Sequence, residues 1–282
     1  MSSNFTYLKN PSPWRRLSLA TWKAPNDPTV YGVMKIDATN LLSFLENLKI
    51  KNQKTPKITV THVVAKAVAL TLKNYPDING IIRWGNIYLR KTVDIFLQVA
   101  VAEASADEKP DLSGAKVNRC DEKSLTQIAE DLAAQATKIR NRDDAQFKSS
   151  HQILKKVPSL ILAWALRFMT FIVYNLGFSF PKLGLPEDPF GSAMVTSVGM
   201  LGVPPGFAPL VPISRVPLIL CVGGIENKPW VTDKNGTPTV EVRPVLDIHF
   251  TFDHRFMDGL TGSRMYKYLK EILTNPTQHL GQ

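Results

Sequence analysis

Three observations predict an α/β domain with a mixed β-sheet. Segments rich in β-formers alternate with helical patterns, without strict regularity. The segment DIFLQVAVA (94–102) is a near-continuous apolar run, the pattern of a central strand. The C-terminal stretch VLDIHFTFDHRFMDGLTGSRMYKYLKEIL reads as a strand, a short turn and then a helix.

Each element has a local reason. PTVYGVMKID (28–37) is β-rich and reads as a strand. From Asp37 to Lys49, Leu41, Leu42, Leu45 and Leu48 share one helical face. Thr59 or Thr61 caps the next helix, which runs through HVVAKAVALTLKNY and stops at Pro76. IIRW, a Gly85–Asn86 turn and IYLRK read as a hairpin. ASADEKPDLSG (104–114) is polar and reads as a loop, and Ser124 to Arg140 is an amphipathic helix. AMVTSVG (193–199), PLILCVGG (217–224) and 239–252 read as strands. Between the first two, GVPPGFAPLVP (202–212) reads as a surface connection or the wall of a channel. Gly259 to Leu273 is the final helix, stopped by Pro276.

Composition narrows the function. Of 282 residues, 44% are hydrophobic and 21% charged, which excludes a disordered or collagen-like chain. Cys120 and Cys221 stand alone, so neither a zinc pattern nor a disulfide framework is expected, and no metal site. The N-terminus lacks the apolar core of a signal peptide, so a cytoplasmic location is expected. The net charge of +10 fits a solvated basic surface, the phosphates of a cofactor or an anionic membrane. Lysines and arginines are scattered and no nucleic-acid motif occurs, so nucleic acid is not an expected partner.

His254 falls where the last strand ends, with Asp258 four residues on and Gly259 at the entry to the helix. A strand end is a rigid place from which to aim a catalytic base at a cleft. Imidazole, with an unperturbed pKa of about 6.5, is largely neutral near pH 7 and can take a proton from a thiol, whose pKa is about 8.5. Spacing alone does not single out His254, because a lone histidine is more often structural. His62, His151, His249 and His279 have no supporting constellation.

HRFMDG resembles the HxxxDG motif of the chloramphenicol acetyltransferase-like superfamily. The wider FTFDHRFMDGLTGSRMYKYLKEIL is similar to the C-terminus of the acyltransferase component of 2-oxo-acid dehydrogenase complexes. RRLSLATW (15–22), VTSVGMLG (195–202) and PLILCVGGIENKPWV (217–231) resemble further segments of that family, so the likeness runs from about Trp14 to about Pro276. It implies a chloramphenicol acetyltransferase-like two-layer α/β sandwich with a mixed sheet. The expected organisation is one catalytic domain over 1–282, with 13–150 and 190–276 matching the family and an apolar helical insertion at 151–185.

The resemblance also implies roles. His254 is the general base that deprotonates coenzyme A or a dihydrolipoyl-like thiol. Thr196 donates a hydrogen bond to the oxyanion of the tetrahedral intermediate. Ser197 is its alternative, because neighbours on a strand face opposite sides. Asp258 pairs with an arginine, Arg15 or Arg16, with Arg15 preferred by position. Coenzyme A or acyl-CoA is the implied substrate, and a homotrimer with the active site between subunits is the implied assembly. The match begins almost at once, so no covalently bound lipoyl group is expected on this chain, and the acceptor stays open.

VPSLILAWALRFMTFIVYNLGFSF (157–180), within the apolar helix expected at about 153–180, is the largest departure from the family. Ser159, Ala163, Arg167, Thr170 and Tyr174 fall on one narrow polar stripe of a helix otherwise apolar. The segment could pack on protein, lie in a membrane interface with Lys155, Lys156 and Lys182 at its ends, or span a bilayer. Spanning fits poorly around Arg167. A second hypothesis is a catalytically silent scaffold that is oligomeric or membrane-associated. A third is a component of a dehydrogenase complex served by lipoyl domains of another chain.

Overall fold

The computed structural model describes residues 27–51, 56–101, 111–140, 159–179, 187–199, 202 and 204–281. Arg15, Arg16, His151, Lys155, Lys156 and Lys182 lie outside the described residues, as do both ends of the expected 153–180 helix.

Among the described residues eight strands follow in chain order: β1 (Thr29–Asp37), β2 (Gly80–Arg83), β3 (Asn86–Leu89), β4 (Ile95–Val101), β5 (Asp111–Val117), β6 (Ala193–Ser197), β7 (Leu218–Lys234) and β8 (Thr237–Asp253). The helices are α1 (Thr39–Lys51), α2 (Val60–Asn74), α3 (Leu125–Arg140), α4 (Ser159–Thr170), α5 (Gly259–Thr274) and α6 (Pro276–Leu280). Six strands form one sheet in the order β1-β8-β7-β6-β4-β5, while β2 and β3 make a separate hairpin. The β7–β6–β4 pairings are parallel and the rest antiparallel, so the sheet is mixed as expected.

Alternation along the strands builds two faces. Met34, Ile36, Leu97, Val195, Leu220 and Ile248 point to one face and bury against helical residues such as Val64, Val68 and Ile272. Met194, Ile219 and Phe96 point to the other, where Ala208, Leu210 and Val211 cover them. The 202–212 stretch is therefore a lid on the sheet rather than a mere surface connection. The result is a layer of helices on a sheet, as expected.

Three boundaries differ from the sequence reading. The 104–114 loop gives way to strand at Asp111. β5 pairs along one side only, with β4, and backbone bonds suffice there even for polar residues. The hairpin turn is Trp84–Gly85, not Gly85–Asn86. Both turn residues have positive φ (51° and 76°), the twist-matched arrangement for a two-residue hairpin. β7 and β8 are 17 residues each, and beyond the β1 pairing they run on as a two-stranded ribbon. Sequence splits that ribbon into shorter strands because its outer half has no buried face.

Cys120 and Cys221 are both buried and free. Thr59, not Thr61, caps α2, and His62 Nδ1 accepts its backbone N–H at 2.9 Å. Burial lowers the pKa of His62 to about 4. His62 is thus a structural histidine whose neutral ring completes a capping box.

Candidate active site

The His254 turn is fixed by its backbone. The Asp253 N–H donates to the Pro217 carbonyl at 2.9 Å, and the His254 N–H donates to the Pro28 carbonyl at 2.8 Å. These two bonds extend the sheet one residue past β8 and lock the main chain between β7 and β1. Asp253, nearly buried, accepts from the backbone N–H of Arg255 at 2.9 Å and from its guanidinium Nη2 at 2.6 Å. The carboxylate in turn raises the pKa of Arg255. The imidazole of His254 is exposed and its ring lies against Phe252, with centroids 6.5 Å apart. Among the described residues the ring has no hydrogen-bond partner.

Asp258 does a local job. It is the N-cap of α5, and its carboxylate accepts the Thr261 backbone N–H at 2.8 Å. That bond is the first cause of its lowered pKa, and the charge of His254 contributes as well. The expected arginine partner, Arg15 or Arg16, lies outside the described residues. Gly259 keeps a φ outside the left-handed region, and a Cβ there would meet nothing, so tight helix entry is not its reason.

Thr196 lies elsewhere on the sheet. It pairs with Cys221 on β7, and Cys221 pairs with His249 on β8. Thr196 therefore shares a row with His249, not with His254. Strands lie about 4.8 Å apart and residues rise about 3.3 Å each, which puts Thr196 roughly 20 Å from His254 within one chain. Thr196 shares the lid-covered face with Met194, while Ser197 falls on the helix side at the exposed strand end. Beyond them the chain closes on β7: a Cβ on Gly199 would stand 2.8 Å from the Gly223 carbonyl oxygen, so only glycine fits. Among the described residues the Thr196 hydroxyl has no hydrogen-bond partner.

Cys221 and His249 face each other, but no hydrogen bond joins them, and burial raises the thiol pKa. His249 instead stacks on Phe207 at 4.7 Å. This row is not a thiolate–imidazolium pair. Among the described residues no group of three or more His, Cys, Asp or Glu could hold a metal ion.

A cavity of about 340 Å³ opens between β1, β7, β8 and helices α2 and α5. Leu218, Phe252, Met257 and Met265 line it with no charged side chain among its walls. Phe252 is common to the cavity and the His254 ring.

The 2-oxoacid dehydrogenases acyltransferase (catalytic domain) family matches residues 16–148 and 183–281. The chain belongs to this family. The match leaves out 149–182, the stretch that contains α4. Among curated relatives, the lipoamide acyltransferase component of the branched-chain alpha-keto acid dehydrogenase complex of Bacillus subtilis is 27% identical over 248 residues. That alignment covers 87% of this chain and 46% of the relative. The succinyltransferase component of the 2-oxoglutarate dehydrogenase complex of Staphylococcus epidermidis is 24% identical, with 86% and 46% covered. The chain thus spans about half the length of the curated relatives it matches. The cubic core of a pyruvate dehydrogenase multienzyme complex superposes with a TM-score of 0.64 at 23% identity, over 90% of this chain and 85% of that one. A probable dihydrolipoamide acetyltransferase from Listeria monocytogenes gives 0.62 at 18%, over 99% and 97%. The fold is that of these acyltransferase cores.

Sequence reasoning singled out His254, Thr196 and Asp258 but missed the Asp253–Arg255 clamp. Its signal was available: opposite charges two residues apart flank the histidine. It also missed the N-cap role of Asp258, although aspartate one residue before a helical pattern is a standard capping signal.

Proposed function

We propose that this chain moves an acyl group between coenzyme A and a thiol acceptor, with a dihydrolipoyl group as the first acceptor to test. The observation that carries the proposal is an exposed imidazole at a strand end whose backbone is bonded on both sides, to Pro217 and Pro28. His254 takes the proton of the attacking thiol. The sulfur adds to the acyl carbonyl, and the oxyanion accepts a hydrogen bond from the Thr196 hydroxyl. Collapse expels the second thiolate, which recovers the proton from the imidazolium, so thioester exchange balances without a further reactant. Support comes from an Azotobacter vinelandii dihydrolipoamide acetyltransferase (TM-score 0.62, 23% identity) in which a serine, a histidine and an asparagine were investigated for roles in the mechanism. Thr196, His254 and Asp258 are this chain's counterparts in our reading.

One subunit cannot complete this site, because Thr196 and His254 stand roughly 20 Å apart. The reading therefore requires a homo-oligomer, a trimer being the simplest, in which His254 of one subunit meets Thr196 of the next. Asp258 caps α5 and holds the turn, and Arg15 or Arg16 is its proposed ion-pair partner. The uncharged cavity beside Phe252 suits a neutral aliphatic acyl group better than a succinyl group, whose free carboxylate would find no cation there. We place the protein in the cytoplasm as one catalytic domain whose 151–185 stretch is an insertion. Contact of 157–180 with the inner face of the membrane belongs to this reading.

The test is thiol release from a panel of acyl-CoA species, with and without dihydrolipoamide. Turnover of an aliphatic acyl-CoA, lost in His254→Ala, is expected. Unchanged turnover in that variant would remove His254 from the mechanism, and turnover of succinyl-CoA alone would remove the cavity from the acyl site.

A further inference from the structure

Helix α4 exposes what a helix in water ordinarily hides. Trp164 is 67% and Phe168 65% exposed, and Ile161 and Phe171 continue the same outward stripe at helical spacing. The expected polar stripe is not uniformly exposed. Tyr174 is buried and donates to the Ser214 carbonyl at 3.0 Å, while Arg167 lies over the Trp164 ring at 6.0 Å.

The β2–β3 hairpin adds a second exposed surface. Trp84 at its tip is 61% exposed, followed by exposed Ile87, Tyr88 and Leu89. The two elements are joined. The Trp84 indole N–H donates to the Asn175 carbonyl at 3.2 Å, and its ring meets the edge of Phe171 at 5.7 Å. Arg215 bridges the Ile82 carbonyl (3.0 Å) and the Asn175 side chain (3.1 Å). Val173 and Tyr174 bury against Ile81. Trp84 also holds a left-handed backbone, with φ of 51°, where a glycine or asparagine is easier. The indole braces the hairpin against Phe171 and Asn175, yet most of its ring stays exposed.

Charge indicates the partner. No Asp or Glu occurs from Ala145 to Pro186, or from Ile78 to Val93. Arg83 lies over the Tyr88 ring at 5.3 Å, and Lys91, past the end of β3, is exposed. Of the first two carboxylates after α4, Glu187 is exposed and Asp188 is held by Arg90 at 2.6 Å. Aromatic rings topped by cations suit the boundary between acyl chains and anionic headgroups. A two-fold contact with a second copy would set this basic face against itself. Among the described residues no helix is long and apolar enough to cross a membrane, and α4 has only 12 residues.

We propose that the hairpin tip and α4 form one docking face that lies in the headgroup region of an anionic phospholipid bilayer. Trp84, Trp164 and Phe168 enter the acyl boundary, with Arg83 and Arg167 at phosphate depth. This rests on the reading of 157–180 as a membrane contact and adds the hairpin and the lipid charge to it.

The test is flotation of the full chain with vesicles of phosphatidylcholine, with and without phosphatidylserine. Binding is expected only with phosphatidylserine, and it should weaken with salt. Trp84→Glu and Phe168→Glu should each lower the bound fraction on the order of tenfold while acyl-CoA turnover is retained. Trp84→Asn, which relieves the turn, should keep the fold and still weaken flotation. If the natural chain does not float, the membrane reading of 157–180 itself falls. If it floats and the Trp84 variants float equally, the hairpin is no part of the face and only this inference falls. Trp84→Glu that lowers the oligomeric mass without changing flotation would make the face a contact between copies.

Discussion

The His254 turn and the Thr196 strand end belong to one sheet but are built in opposite ways. At His254 the main chain is bonded on both sides, to Pro217 and Pro28, and the Asp253–Arg255 pair braces the turn. At Thr196 the strand end closes on β7 where Gly199 packs against Gly223, and the hydroxyl has no partner among the described residues. In the proposed reading the base is aimed by a clamped backbone with its ring left exposed, and the oxyanion donor keeps its hydroxyl unspent among the described residues. On that reading each half serves chemistry that neither does alone.

Breaking the two halves should give graded losses. His254→Ala should cost the most, about 10²- to 10⁴-fold in kcat, read as thiol release from an acyl-CoA. Thr196→Val should cost about 10²- to 10³-fold in kcat with a smaller change in KM, because the hydroxyl acts on the oxyanion rather than on bound substrate. Ser197→Ala should leave kcat within a few-fold. An equal loss in both would mean that strand parity does not decide which hydroxyl acts. Asp253→Asn should loosen the clamp and lower kcat less than Thr196→Val, with Arg255→Ala repeating the effect. A larger loss on Arg255→Ala alone would give that guanidinium a direct part in binding.

Much of this was legible in the sequence because it is local. The strand–turn–helix around His254 is written in one unbroken stretch, and the buried faces of β4, α2 and α3 follow their periodicities. The register that separates Thr196 from His254 is not local. It depends on β7 lying between β6 and β8, and nothing near VTSVG states that order. The lid role of 204–211 and the exposed stripe of α4 were hidden for the same reason: an apolar residue tells that burial is favourable, not where the partner is. β5 was missed because it borders the sheet, where a polar segment needs only backbone pairing.

His62 supplies the smallest effect and a contrast with His254. Its folded-state pKa, about 4, is below the unfolded 6.5. Its contribution to stability is complete above pH 6.5 and is lost as pH falls towards 4, on the order of 3 kcal/mol across that window. Thermal unfolding between pH 7 and pH 4 should show this loss, reduced in His62→Gln. An identical pH profile in that variant would show that His62 does not titrate with folding.

The central claim is that the base and the oxyanion donor come from different subunits, and mixing two dead variants tests it most directly. His254→Ala and Thr196→Val chains, each inactive alone, are co-expressed under separate tags and the mixed oligomer is purified. In the proposed trimer, every mixed assembly holds one site of three with both natural residues, so about a third of the natural activity should return. Mixed oligomers that stay as inactive as the two parents would contradict a site shared between subunits.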